Sequence, residues 1–149
     1  MIYRKEIKEH PAVHLIKEFC RTYSERDLEG LLALFCKNHP VHLYGTGIDE
    51  DRRSLQEIKE QVLRDWEQSE NAQLFPPKDL VYCEDPVSWA AGNFSAKVIA
   101  SGQTLEIPNL RGSISIIREE NEWKISQMHA SFPAIDQEVG ASFPSKVIG

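Results

Sequence analysis

Near the C-terminus, the run Trp123-Lys124-Ile125-Ser126-Gln127-Met128-His129-Ala130-Ser131 carries a histidine, the side chain whose ordinary titration falls near neutral pH. The two-residue period of a strand sets Trp123, Ile125, Gln127, His129 and Ser131 on one face, with Lys124, Ser126, Met128 and Ala130 on the other. A face that grades from Trp to His suits neither a fully buried strand nor plain surface. It is expected to be a core that opens into a pocket. If the alternation holds on the preceding strand, Arg111 faces the same way. A cation there would keep His129 neutral, fit to act as a general base or to hydrogen-bond a ligand carbonyl. The plainer alternative is a core histidine satisfied by Gln127 or a hydroxyl.

Two acids, Asp49 and Glu50, follow Gly45-Thr46-Gly47 in a loop. They are expected either to line the pocket mouth, where they would pair with Arg111 or hold a polar ligand end, or to sit as ordinary acids before a helix N-terminus. The glycines do not make a phosphate loop, because the Lys-Ser/Thr ending and the longer glycine spacing are absent. Tyr44, Trp66, Trp89, Phe94 and Trp123 could wall an aromatic cavity, although each taken singly also fits plain core packing. Trp66, at the far end of its helical stripe, is the preferred wall residue. No histidine pair has a metal-ligand setting, since His10 and His14 flank Pro11 at a helix start, so no metal is expected.

The elements that must position these residues follow from periodicity. Val13, Ile16, Phe19, Cys20 and Tyr23 step by three or four from Pro11, which predicts an amphipathic helix of about fifteen residues. Asp27 is placed to cap a second helix carrying Leu28, Leu31, Leu32 and Phe35. Ser54, with Glu57 at the box position, starts a third through Leu55, Ile58, Val62 and Trp66, fading near Glu70-Asn71. Val41 to Tyr44 alternates as a short strand, and Leu74 to Cys83, with Pro76-Pro77, allows at most an edge strand before a turn at Glu84-Asp85-Pro86. Val87 to Ala100, Leu105 to Arg118 and the histidine strand are joined at Ser101-Gly102-Gln103 and Glu119 to Glu122. Gly92 is expected to mark a bulge.

The 149 residues suit one domain, with 134–149 as a tail, and a chain of this size buries roughly 70% of its unfolded surface. A net charge of -6 disfavours nucleic acid and anionic lipid as partners. Cys20, Cys36 and Cys83 are widely spaced and outside any metal pattern, so they read as small hydrophobes in a reducing compartment. With no apolar leader and no long apolar run, the expected location is cytoplasmic.

Helices followed by a meandering sheet give an α+β domain, three helices packed in a strongly curved, mixed or antiparallel sheet. The run Phe19-Cys20-Arg21 through Leu28-Glu29-Gly30-Leu31-Leu32-Ala33-Leu34-Phe35, the loop Gly45-Thr46-Gly47-x-Asp49-Glu50 and the ending Trp123-Lys124-Ile125-Ser126-Gln127-Met128-His129-x-Ser131 resemble the SnoaL-like branch of the nuclear-transport-factor-2-like superfamily, over roughly residues 10 to 133. The resemblance implies a cone with a mostly apolar cavity. It also implies a homodimer through the outer sheet face, where Met128 and Ala130 are expected to show. Relatives resembling ketosteroid isomerase carry a carboxylate base at the position of Leu43, and the cyclases carry an Asp near the end of the last strand. This chain has no acid within two residues of Leu43 and none between Trp123 and Asp136.

With both inherited base positions empty, the sequence reads as a domain that holds a small, apolar or aromatic molecule without a cofactor. Tyr44, Asp49, Glu50, Trp66, Arg111 and Gln127 are the expected ligand contacts. One alternative is an isomerase, dehydratase or cyclase with His129 as base and Arg111 or Tyr44 steadying an enolate. A further alternative is an interaction domain working through its sheet.

Overall fold

Pro11 stands at the first helical position of α1 (Pro11–Glu25), and the His10 ring accepts the Ala12 N–H, so the helix starts where its orphan donors are met. Residues 9–83 and 89–145 are described by the computed structural model. The expected turn at Glu84-Asp85-Pro86 and the start of the strand at Val87 lie outside them. Ala12, Leu15, Ile16, Phe19 and Cys20 form the buried stripe of α1; Ile16, Phe19 and Cys20 of the expected stripe are in it, while Val13 and Tyr23 are half-buried at its flanks. In α2 (Leu28–Leu32) the Asp27 carboxylate accepts the Gly30 N–H at 3.0 Å. That helix ends before Phe35, which instead bridges to Ile125 as a strand residue. In α3 (Leu55–Glu67) the Ser54 hydroxyl accepts the Glu57 N–H at 3.1 Å, and the Glu57 carboxylate reaches back to the Arg53 N–H at 3.2 Å.

The strands are β1 (His42–Tyr44), β2 (Asp51–Arg52), β3 (Asn71–Phe75), β4 (Val81–Tyr82), β5 (Trp89–Ala100), β6 (Gln103–Glu119) and β7 (Glu122–Ser131). They form one open, curved sheet in the order β2-β1-β7-β6-β5-β3, with β4 also on β5. Every pairing is antiparallel except β1 with β7. Positive φ at Ser101-Gly102 and at Glu120-Asn121 gives both long hairpins tight turns whose twist matches the strands. The strand β3 falls where the third helix was expected to fade; Ala72 and Leu74 alternate inward, a pattern too short to stand out beside Pro76-Pro77.

Gly92 pairs directly with Gly112, so there is no bulge at that residue. A Cβ at Gly92 would come 2.7 Å from the Pro77 ring, and that close approach accounts for the glycine. The irregularities lie between Phe94 and Ala96 on β5 and between Ser115 and Ile116 on β6. At the second, Ser115 pairs with Gln127 and Ile116 with Ile125, which leaves Ser126 as an extra residue on β7. Its hydroxyl donates to the Ser115 carbonyl at 3.2 Å.

One extra residue exchanges the faces of everything beyond it. Ile125 and Trp123 pack toward the helices, as the alternation predicts. After Ser126 the inward residues are Met128 and Ala130, while Gln127, His129 and Ser131 turn to the outer face. The expectation that His129 faces the core side and that Met128 and Ala130 show outside is therefore reversed. The main core joins α1, α2 and α3 to Leu43, Ala90, Phe94, Ile114, Ile116 and Ile125 of the sheet.

Candidate functional site

Between α1, α3 and the inner face of the sheet lies a cavity of about 200 Å³. Its apolar wall comes from Phe19 of α1, Val62 of α3 and the inward positions of five strands: Leu43, Ala72 and Leu74, Ala96 and Val98, Ile107 and Leu110, and Met128 and Ala130. Exposed Tyr44, Thr46 and Phe132 are also at its boundary, so it reaches the surface beside the loop after β1.

One end of the cavity is polar. Tyr23, Glu50, Gln61 and Asp65 line it together. The Tyr23 hydroxyl donates to Asp65 Oδ2 at 2.8 Å. Gln61, 3% exposed, donates its amide to Glu50 Oε1 and to Asp65 Oδ1, each at 2.8 Å. Its carbonyl accepts Arg52 Nε at 3.0 Å, Arg52 Nη2 at 2.8 Å and Arg64 Nη2 at 3.3 Å. Arginines only donate, so the amide orientation is settled by its partners. Burial pushes the Asp65 carboxyl above the ordinary aspartate range, against the opposing pull of the Tyr23 and Gln61 hydrogen bonds. Burial, and then the Asp65 charge, raises the Tyr23 phenol.

The residues expected from sequence to form the site are divided between several places. Tyr44 and Glu50 border the cavity. Asp49 is exposed and bound to Arg64 Nη1 at 2.6 Å, a bond that holds its carboxyl below the ordinary range and ties the loop to α3. Trp66 is buried in the core with its indole N–H on the Tyr23 carbonyl at 3.1 Å, and it is not a wall of the cavity. Gln127, His129 and Arg111 occupy the outer face: Gln127 meets His42 Nδ1 at 3.3 Å, the His129 ring lies 5.4 Å from that of Tyr44, and Arg111 is exposed beside Ser131. The expected pairing of Arg111 with Asp49 or Glu50 is replaced by Arg64.

Tyr23, Gln61 and Asp65 were missed. The signal was present in α3, where Gln61 and Asp65 interrupt the stripe Ile58, Val62, Trp66 as polar residues on an inward face. Among the described residues no group of His, Cys, Asp and Glu is arranged to hold a metal ion, and no helix is long and apolar enough to cross a membrane.

A family model, the SnoaL-like domain, matches residues 13–135. None of the curated proteins matches the chain. Among solved structures, a protein from Novosphingobium aromaticivorans assigned as an aromatic ring hydroxylase superposes with a TM-score of 0.68 at 14% identity, over 81% of this chain and 86% of that one. A protein from Streptomyces avermitilis assigned as a dehydratase of the NTF2-like family gives 0.67 at 15%, over 83% and 95%. A protein from Xanthomonas campestris assigned as a calcium/calmodulin dependent protein kinase II association domain gives 0.66 at 13%, over 91% and 99%. At these identities the likeness is one of fold.

Proposed function

Because the chain belongs to the SnoaL-like domain family, we propose that it is a binding domain for a small, mainly apolar or aromatic molecule held in the cavity between its helices and its sheet. The observation that carries this reading is the form of the cavity, an apolar wall that meets at one end the hydrogen-bonded set Tyr23, Asp65, Gln61 and Glu50. Its size suits a ligand of about one ring: a cavity of about 150 Å³ in another protein takes up benzene.

A thermal-shift screen of apolar and aromatic compounds tests the reading. A ligand at a hundred times its Kd stabilises by about 2.7 kcal/mol, well within detection. Hits should vanish in Ala130→Leu, whose larger side chain enters the cavity. A broad panel without hits, or hits indifferent to that substitution, would overturn the reading.

A second reading, proton transfer, is favoured by Asp65, a carboxyl raised by burial at the cavity surface. Under it Asp65→Asn retains ligand affinity and loses turnover. His129 does not take that role, because β7 turns it to the opposite face of the sheet.

A homodimer is proposed through the outer sheet face, where Trp89, Ser115, Gln127 and His42 form one row and Ala91, Ser113, His129 and Tyr44 the next. Sedimentation of the wild type and of Ala91→Glu decides it. The free state of Cys20, Cys36 and Cys83 supports a reducing, cytoplasmic setting.

A further inference from the structure

The small-molecule reading leaves open what polar group the ligand carries, and the donors and acceptors at the cavity's polar end bear on that question. Two carboxylates, Glu50 and Asp65, line the cavity, and among the described residues that line it there is no Lys, Arg or His. The arginines behind them do not line the cavity, although Arg64 Nη2 stands 3.9 Å from Glu50 Oε1. Arg52 donates to the Gln61 carbonyl, and Arg64 to Asp49 and the same carbonyl. Three carboxylates, Asp49, Glu50 and Asp65, thus face two guanidiniums, leaving one net negative charge in the group.

The protons at this end are also accounted for. The Gln61 amide directs both N–H bonds to Glu50 and Asp65, and the Tyr23 hydroxyl directs its own to Asp65. Asp65 Oδ1, Asp65 Oδ2 and Glu50 Oε1 each accept one of these bonds and retain a further lone pair. The other polar lining residues, Thr46 and Gln73, are exposed and belong to the rim. The polar end therefore presents acceptors and negative charge. A ligand carboxylate or carbonyl would find no donor there and would lose its hydration uncompensated.

We propose that the cavity selects a single-ring apolar molecule bearing a protonated amine, with the ammonium directed at Asp65 and Glu50. An ammonium has three donors and no acceptor, which complements this end, and the neighbouring Tyr23 ring attracts a cation in addition. This inference rests on the binding reading but is separable from it.

Calorimetric titration of the full chain with 2-phenylethylamine, 2-phenylethanol and 3-phenylpropionate, matched in ring and chain, tests it. The amine is expected to bind about tenfold to a hundredfold more tightly than the alcohol, as a charge-assisted hydrogen bond implies. The acid should bind weakest. Asp65→Asn should bring the amine down toward the alcohol and affect the alcohol less than the amine, and Glu50→Gln should repeat the effect more weakly. Should either variant fail to fold, the wild-type ranking still decides. Alcohol or acid binding as tightly as the amine, or an amine preference that survives both substitutions, overturns the inference. If none of the three binds while the broader panel yields hits sensitive to Ala130→Leu, the amine is refuted and the cavity reading stands. No hits in either experiment sinks both.

Discussion

The hydroxyl of Tyr23 on α1 donates to Oδ2 of Asp65 on α3 over 2.8 Å, so the first and third helices are joined by a hydrogen bond at the cavity surface. Tyr23→Phe should cost about 1 kcal/mol of stability, the ordinary net worth of such a bond, measured by urea unfolding at neutral pH.

Asp65 also gives a pH signature. Its folded pKa is raised by burial, so between about pH 3.8 and that raised value the folded state holds a proton the unfolded chain has released. Wild-type stability should therefore fall relative to Asp65→Asn as pH rises through this window. Urea midpoints of both proteins at pH 3.5 and pH 7 check the sign, and a wild type that gains on the variant would refute it.

Glu119 has the opposite sign. Only 8% exposed, it accepts from the ring of His39 at 3.0 Å and from the backbone of Lys37 at 2.7 Å and Asn38 at 3.0 Å, and these bonds, the histidine's first, lower its carboxyl to about 2. The stability it contributes is present above its unfolded value near 4.5 and is lost as pH falls toward 2. Glu119→Gln should lower the melting temperature at pH 7 by several degrees, and the gap to wild type should close in acid.

The bulge at Ser126 predicts contrasting behaviour for adjacent residues. Met128→Ala removes a cavity wall and should cost about 1–2 kcal/mol, below the fully buried range because Met128 is half-buried, and it should alter ligand affinity. His129→Ala, on the exposed face, should stay within about 0.5 kcal/mol and leave affinity unchanged. Denaturant unfolding with a ligand titration separates the two. Equal effects would mean that the alternation past Ser126 has been misassigned.

The helices were legible because each depends on local chemistry: the three-four spacing of Ile16, Phe19 and Cys20, the cap at Asp27 and the reciprocal box at Ser54 and Glu57. The hairpins were legible for the same reason, since Ser101, Gly102 and Asn121 are turn residues by type. The site was harder to read because its residues meet only in the fold. Tyr23 and Asp65 lie 42 positions apart, Tyr23 reading as the end of an apolar stripe and Asp65 as a polar residue beside another. Side-chain direction along β7 was not readable at all, since Ser126 has no feature of type that announces an extra residue; the register is set by β6 across from it.

Trp66 shows how composition and role diverge. An aromatic at the end of a stripe looks like a pocket wall, yet its indole N–H needs an acceptor when buried and finds one at the Tyr23 carbonyl. Trp66→Ala should cost about 3–5 kcal/mol by emptying the core, enough to unfold a marginal domain. Trp66→Phe should keep ligand binding while losing stability, as thermal unfolding with and without ligand will show.

The single unpaired serine in β7 also bears on how such a domain can be redesigned. Deleting it would let Gln127 follow Ile125 in regular alternation against Ser115 and Ile116, so Met128 and Ala130 would stay on the cavity wall and Gln127 and His129 on the outer face. The greasy lining is thus fixed by the pairing of β7 with β6 and not by the serine itself, and a shorter β7 would carry the same pocket.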